Sequence, residues 1–169
     1  MLVNSGCNLL GISFWGCPWA SSQHDASNPD NAPEVFTLIP HGVDVLLTHG
    51  PTRGILDLME GGAHFYGSSA ALHARIMEVK PAVHLHGHVH EQRGVWRKGP
   101  TGDFAGGVAF TCPVAIQARP PPPAAYPVQL VANSALKNAG ILDGPPGRIV
   151  GRPLLIEAQR SPAGAWVFR

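Results

Sequence analysis

Four of the chain's nine histidines stand at alternate positions in one ten-residue stretch, AVHLHGHVHE, running from Ala82 to Glu91. They are His84, His86, His88 and His90. A fifth, His49, directly follows the short, mostly apolar run VDVLLT, Val43 to Thr48. Neutral imidazole is a common metal ligand and suits Zn, Mn, Fe or Ni. His88 and His90 flank a single residue and would repel each other when protonated unless something binds them. Gly87 gives the backbone the freedom to turn so that both can point together. A lone histidine, by contrast, usually belongs to a surface or a core. His24, His41, His64 and His73 are read in that way, with His73 inside a helix and facing solvent or capping a contact. His84 and His86 precede the turn and are read as packing within a sheet or supporting ligands from behind.

The flanking patterns say how such residues could meet. Val43–Thr48, bounded by Gly42 and Gly50, has the form of a buried strand. From Ser68 to Lys80 the period changes, with Leu72, Ile76 and Val79 at helical spacing, Ser68 or Ser69 as a cap and Pro81 as a stop. Val83–His86 returns to strand character. Strand, loop, helix and strand in succession make a βαβ unit, with a right-handed crossover expected. His49 then follows the first strand and His88 and His90 the second. Ligands of open α/β sheets bind beyond the carboxyl ends of parallel strands. Neighbouring strands lie roughly 4.8 Å apart, so side chains of the two loops can converge on one ion.

Elsewhere, Leu9–Trp15 reads as a strand ending at Gly16-Cys17-Pro18, and residues 21–33 as a polar loop. Val108–Cys112, Val128–Ala132 and Pro153–Ala158 are further candidate strands. Arg119-Pro120-Pro121-Pro122-Pro123 is a stiff polyproline spacer.

Composition removes several classes. At 169 residues the chain suits one domain with a real core; charged residues make up 14% and the formal net charge is +1. No basic stripe calls for nucleic acid. No apolar run nears the ~20 residues of a membrane span, and the uncharged N-terminus reads as a strand rather than a leader. Cys7, Cys17 and Cys112 form no metal-binding pair and are expected to be free thiols, so the expected setting is cytoplasmic. Oligomeric state is not legible.

Thr48-His49-Gly50-Pro51, Gly54-Ile55-Leu56-Asp57, Pro81-Ala82-Val83-His84 and Gly87-His88-Val89-His90-Glu91 follow one another in this order along the chain. Taken together they resemble calcineurin-like metallophosphoesterases, in particular their small metallophosphoesterase-domain branch, related to cyclic-nucleotide phosphodiesterase-like proteins. Gly16-Cys17-Pro18-Trp19 resembles that branch's turn, and Val131-Ala132-Asn133-Ser134 and Pro153-Leu154-Leu155-Ile156-Glu157 its closing strands. Thr52 stands where the family has a second proline. The resemblance implies an α/β fold, a β-sandwich flanked by helices, of which this chain is the C-terminal portion. It divides the chain into a partial phosphoesterase domain over residues 1–158, a Pro-rich insertion at about residues 99–127, and a tail over residues 159–169.

Carried over residue by residue, the resemblance makes His49 and His88 ligands of a second metal and His90 a ligand of the first. Gly50, Asp57, His84, Gly87 and Glu91 become supporting or substrate-loop residues. The family's upstream Asp-x-His, Gly-Asp and Gly-Asn-His motifs, which supply the bridging carboxylate and a catalytic histidine, are not found, so no catalytic residue is assigned. The implied activity is hydrolysis of a small phosphomonoester or phosphodiester. It uses divalent ions (Mn, Fe, Zn or Ni), two in the complete centre and one or none here. Three readings stay open: a truncated enzyme, a mononuclear three-histidine site with an open position for water, or a non-catalytic remnant acting as a binding or structural module.

Overall fold

The computed structural model describes residues 2–18, 33–58, 69–108, 121–134, 137–138, 149–150 and 155–168. Its centre is a seven-stranded mixed sheet. In chain order the strands are β1 (Ser5–Leu9), β2 (Ile12–Cys17), β3 (Val45–Thr48), β4 (Val83–His86), β5 (Gly94–Lys98), β6 (Phe104–Val108) and β7 (Leu130–Asn133). Their spatial order is β1-β2-β3-β4-β7-β5-β6, and β2, β3, β4 and β7 run parallel. Two-stranded pairs join β8 (Lys137–Asn138) to β9 (Ile149–Val150) and β10 (Ala158–Arg160) to β11 (Trp166–Phe168). The α/β class holds. No helix among the described residues is long and apolar enough to cross a membrane.

The expected strand–helix–strand unit forms. Its helix, α1, spans Ala70–Val79. Ser69 caps it by accepting the Leu72 N–H at 3.1 Å. Lys80 turns into the left-handed region at φ 53°, and its N–H closes the last turn on the Ile76 carbonyl at 2.9 Å. Pro81, which lacks an N–H, follows immediately. Leu72, Ile76 and Val79 are buried against the sheet, each contributing about 1.5–3 kcal/mol through burial.

Period-two alternation splits the strands between two apolar clusters. Leu46 and Val131 face α1 and the 3-10 helix Pro33–Leu38. Val45, Val83, Leu130 and Ala132 face the other way, where Phe168 is buried and Ile156 and Trp166 pack. The indole N–H of Trp166 donates to the Gly11 carbonyl at 3.0 Å, docking the C-terminal hairpin on the β1–β2 turn.

Other expectations are corrected. Leu9–Trp15 is not one strand. Leu10 and Gly11 both have positive φ, 53° and 80°, and close a two-residue hairpin between β1 and β2. Leu155, Ile156 and Glu157 are not strand; the strand starts at Ala158, where Phe168 offers a partner. The candidate at Val108–Cys112 lies mostly outside the described residues, but Val108 ends β6. His73 does not face open solvent: it is half-buried and stacks on buried Tyr126, with centroids 5.6 Å apart. Within the stretch from Gly99 to Pro127, β6 extends the main sheet and Tyr126 joins its core.

Candidate functional site

The site lies where β3, β4 and β7 end. Register sets it: Leu47 pairs with Leu85, and His86 with Asn133, so the three strands finish level with one another. His49 leaves β3, and Gly87 and His88 leave β4. The Gly87 N–H donates to the His49 carbonyl at 2.9 Å, tying the two loops together. His88 holds φ at 69°, a costly conformation for a residue with a side chain.

This backbone brings two imidazoles together. His49 Nε2 lies 2.7 Å from His88 Nδ1, with the rings edge to face at an interplanar angle of 70°. One ring must donate and the other accept, so the contact selects a tautomer for each. Both side chains are exposed and open to an approaching ion or ester. Burial lowers the pKa of His88, the neighbouring His49 and His90 lower it further, and Glu91 opposes them. A neutral ring with an available lone pair follows.

His90 opens the 3-10 helix His90–Gln92 and is exposed. It influences His88 electrostatically. Among the described residues, no group of three His, Cys, Asp or Glu is arranged to hold a metal ion. His49 and His88 therefore form a pair. His41 lies elsewhere, beside Glu78 at 3.5 Å. His24 and His64 lie outside the described residues.

Behind the pair is a buried polar layer. Thr48 Oγ1 donates to the Gly50 carbonyl at 2.7 Å and lies 2.9 Å from His84 Nε2. His84 and His86 are fully buried beside each other, with centroids 5.2 Å apart. Burial lowers both pKa values, and that of His86 falls to about 4, although the Gly87 carbonyl and the charge of Asp57 pull it back up. Asp57 is itself buried and accepts the Gly54 N–H at 2.7 Å. It lies behind the pair, where it can support His86 but cannot reach solvent.

Asn133 was not singled out as a site residue by sequence. Buried at the end of β7, it donates from Nδ2 to the Val89 carbonyl at 2.6 Å and so fixes the residue between His88 and His90. Ser134 reinforces the join, with its N–H and hydroxyl both donating to the His86 carbonyl. The available signal was Val131-Ala132-Asn133-Ser134, an apolar strand that turns polar at its carboxyl end.

Comparison with known proteins adds ancestry to this geometry. No family model matches the chain. A UPF0046 protein of Caenorhabditis elegans is 36% identical over 104 residues, which is 59% of this chain and 26% of that protein. Metallophosphoesterase domain-containing protein 1 of Homo sapiens is 33% identical over 104 residues, again 59% of this chain and 32% of that protein. A second UPF0046 protein of Caenorhabditis elegans is 31% identical and covered to 34%. The chain thus spans between about a quarter and a third of the length of these relatives. Over the 59% that aligns, it is a homologue of the metallophosphoesterase domain-containing proteins.

Proposed function

We propose that this chain forms part of a metal-dependent phosphoesterase of calcineurin-like type, acting on a small phosphomonoester or phosphodiester. His49 and His88 are its paired ligands for one metal, and His90 is a ligand of the other. The observation that carries this reading is the convergence of His49 Nε2 and His88 Nδ1 from the carboxyl ends of adjacent parallel strands. Kinship with proteins named for a metallophosphoesterase domain supports it.

The donor set suits a divalent ion in chemistry and place. Two imidazole nitrogens around a tetrahedral zinc ion lie about 3.3 Å apart, so the pair must open by roughly half an ångström to admit one. Side-chain rotation of two exposed rings can supply that. A bound ion would polarise a phosphoryl oxygen and make hydroxide available near neutral pH. The chain's own residues hold the ligands ready. Gly87 and the His49 carbonyl set the loop spacing, Thr48 fixes the turn at Gly50, and Asn133 anchors Val89.

A second reading has one observation in its favour. The 2.7 Å separation is that of a hydrogen bond, so the imidazoles satisfy each other without an ion, as they would in a non-catalytic binding module. Calorimetric titration with Zn and Mn separates the two, combined with an assay of bis(4-nitrophenyl) phosphate hydrolysis. Saturable binding that His49→Ala and His88→Ala each weaken supports the metal site. Binding unchanged in the double variant would mean that these histidines are not the ligands.

A further inference from the structure

The seven-stranded sheet ends in β1 on one side and in β6 on the other. The two edges differ. In β6, Gly106 and Gly107 hold φ at 128° and 151°, away from the regular extended form that a further strand would need. In β1, each residue from Ser5 to Leu9 stands opposite one residue of β2, with no bulge. All of them except Ser5 are exposed. The strand holds no proline, and residues 2–18 include no Asp, Glu, Lys or Arg. Charge, proline and bulges are the devices that keep natural sheet edges from pairing, and β1 has none of them.

The phase of the β1–β2 ladder fixes which backbone groups face outward. Leu9 and Ile12 flank the two-residue turn and form its closing hydrogen-bonded pair. Alternation then makes Asn8–Ser13 and Gly6–Trp15 the non-hydrogen-bonded pairs. Ser13 shows the same phase independently. Its N–H donates to the Asp44 carboxylate at 2.8 Å and its carbonyl accepts the Asp44 N–H at 3.0 Å, both on the β3 side. Gly6 and Asn8 therefore present their backbone N–H and C=O groups to the outer edge, where they meet no partner among the described residues.

We propose that β1 pairs antiparallel with β1 of a second copy of this chain, across a twofold axis at Cys7. Gly6 and Asn8 stand evenly about Cys7, so Gly6 of each copy exchanges both N–H···O bonds with Asn8 of the other. Such an interface is isologous and closes at two copies. The two Cys7 residues then face each other in a non-hydrogen-bonded pair, with Cα atoms about 4.5 Å apart. That lies within the range of about 4.4–6.8 Å that a disulfide spans. Cys7 is a free, exposed thiol. One pair of short strands buries less than the ~1,000 Å² of a stable interface, so the dimer is weak until oxidation locks it. With oxidised glutathione as oxidant, the two thiols pass two protons and two electrons to its disulfide. One S–S bond forms between the chains, that of the oxidant breaks, and two glutathione thiols leave.

The test begins with sedimentation velocity of the full chain under reducing conditions, over about a hundredfold range of concentration. The mean mass should rise from one chain towards two. At the upper end the Gly6 and Asn8 amides should exchange with solvent several-fold more slowly than at the lower end, while Cys7 and Leu9, bonded to β2 throughout, stay unchanged. Asn8→Pro removes an outward N–H, leaves the β1–β2 bonds in place and should hold the chain monomeric. Cys7→Lys sets like charges opposite each other and should do the same, even should the proline variant fail to fold. Cys7→Ser should still dimerise. With oxidised glutathione, peptide mass spectrometry should find Cys7 joined to Cys7, and Asn8→Pro should slow that linkage on the order of tenfold. A chain monomeric at every concentration, a mass that grows past two copies, or a dimer that survives both Asn8→Pro and Cys7→Lys overturns the proposal. Linkage at an equal rate in Asn8→Pro also overturns it, since chance encounters between exposed thiols would behave in that way.

Discussion

His49 Nε2 and His88 Nδ1 lie 2.7 Å apart although 39 residues separate them in sequence. The β3–β4 pairing closes most of that distance, and the Gly87 N–H on the His49 carbonyl closes the remainder. An ion shared by the two rings would be held chiefly by them. His88→Ala should therefore weaken Zn binding by at least about tenfold, as loss of far less direct support commonly does. His90→Ala should weaken it less. Calorimetry with each variant gives the ratio, and the reverse order would move the centre toward His90.

The buried histidines make stability pH-dependent. His84 and His86 both have pKa values lowered by burial, that of His86 to about 4 against an ordinary 6.5. The unfolded chain binds protons at these positions before the folded chain does, so stability rises with pH through this range. The contribution is complete above about pH 6.5 and is lost as pH falls toward 4. For His86 it is on the order of 3 kcal/mol. Urea midpoints measured from pH 7.5 to 4.5 should fall. His84→Gln and His86→Gln should each flatten the slope, and an unchanged slope would place the sensitivity elsewhere.

Asn133 is expected to matter more for stability than its size suggests. Asn133→Leu removes the donor to the buried turn at Val89 and leaves that carbonyl without this partner. The expected loss is about 1–3 kcal/mol, accompanied by movement of the His88 and His90 signals. Denaturant unfolding together with NMR measures both. A loss of stability with the histidine signals in place would limit Asn133 to packing.

The ends of α1 give a simpler pair of expectations. Ser69→Ala should cost about 1 kcal/mol through loss of the bond to the Leu72 N–H. Lys80→Gly should be neutral or stabilising by up to about 1 kcal/mol, because Lys80 sits at φ 53° where glycine is unstrained. Thermal unfolding of the two variants should move in opposite senses, or in the Ser69 variant alone.

By itself the sequence determined the local chemistry. Helical spacing at Leu72, Ile76 and Val79, a serine cap and Pro81 specified α1, since each acts over a few neighbouring residues. The short apolar runs specified β3, β4 and β7 to within two residues, because continuous burial leaves a continuous apolar pattern. The order of motifs also pointed to the kinship that the relatives bear out. Tertiary structure decided the rest. The Leu10–Gly11 turn was missed because Leu is a poor signal for positive φ. Strand β5 was missed because Gly94-Val95-Trp96-Arg97-Lys98 has little apolar pattern, and its pairing with β7 holds it. Which histidines meet was also decided in three dimensions. Alternation sends His84 and His86 into the interior, and a backbone turn at His88 sets its ring beside His49. A histidine carries the same donors and acceptors in every setting, so its role depends on strand register and on which partner the fold places within 3 Å.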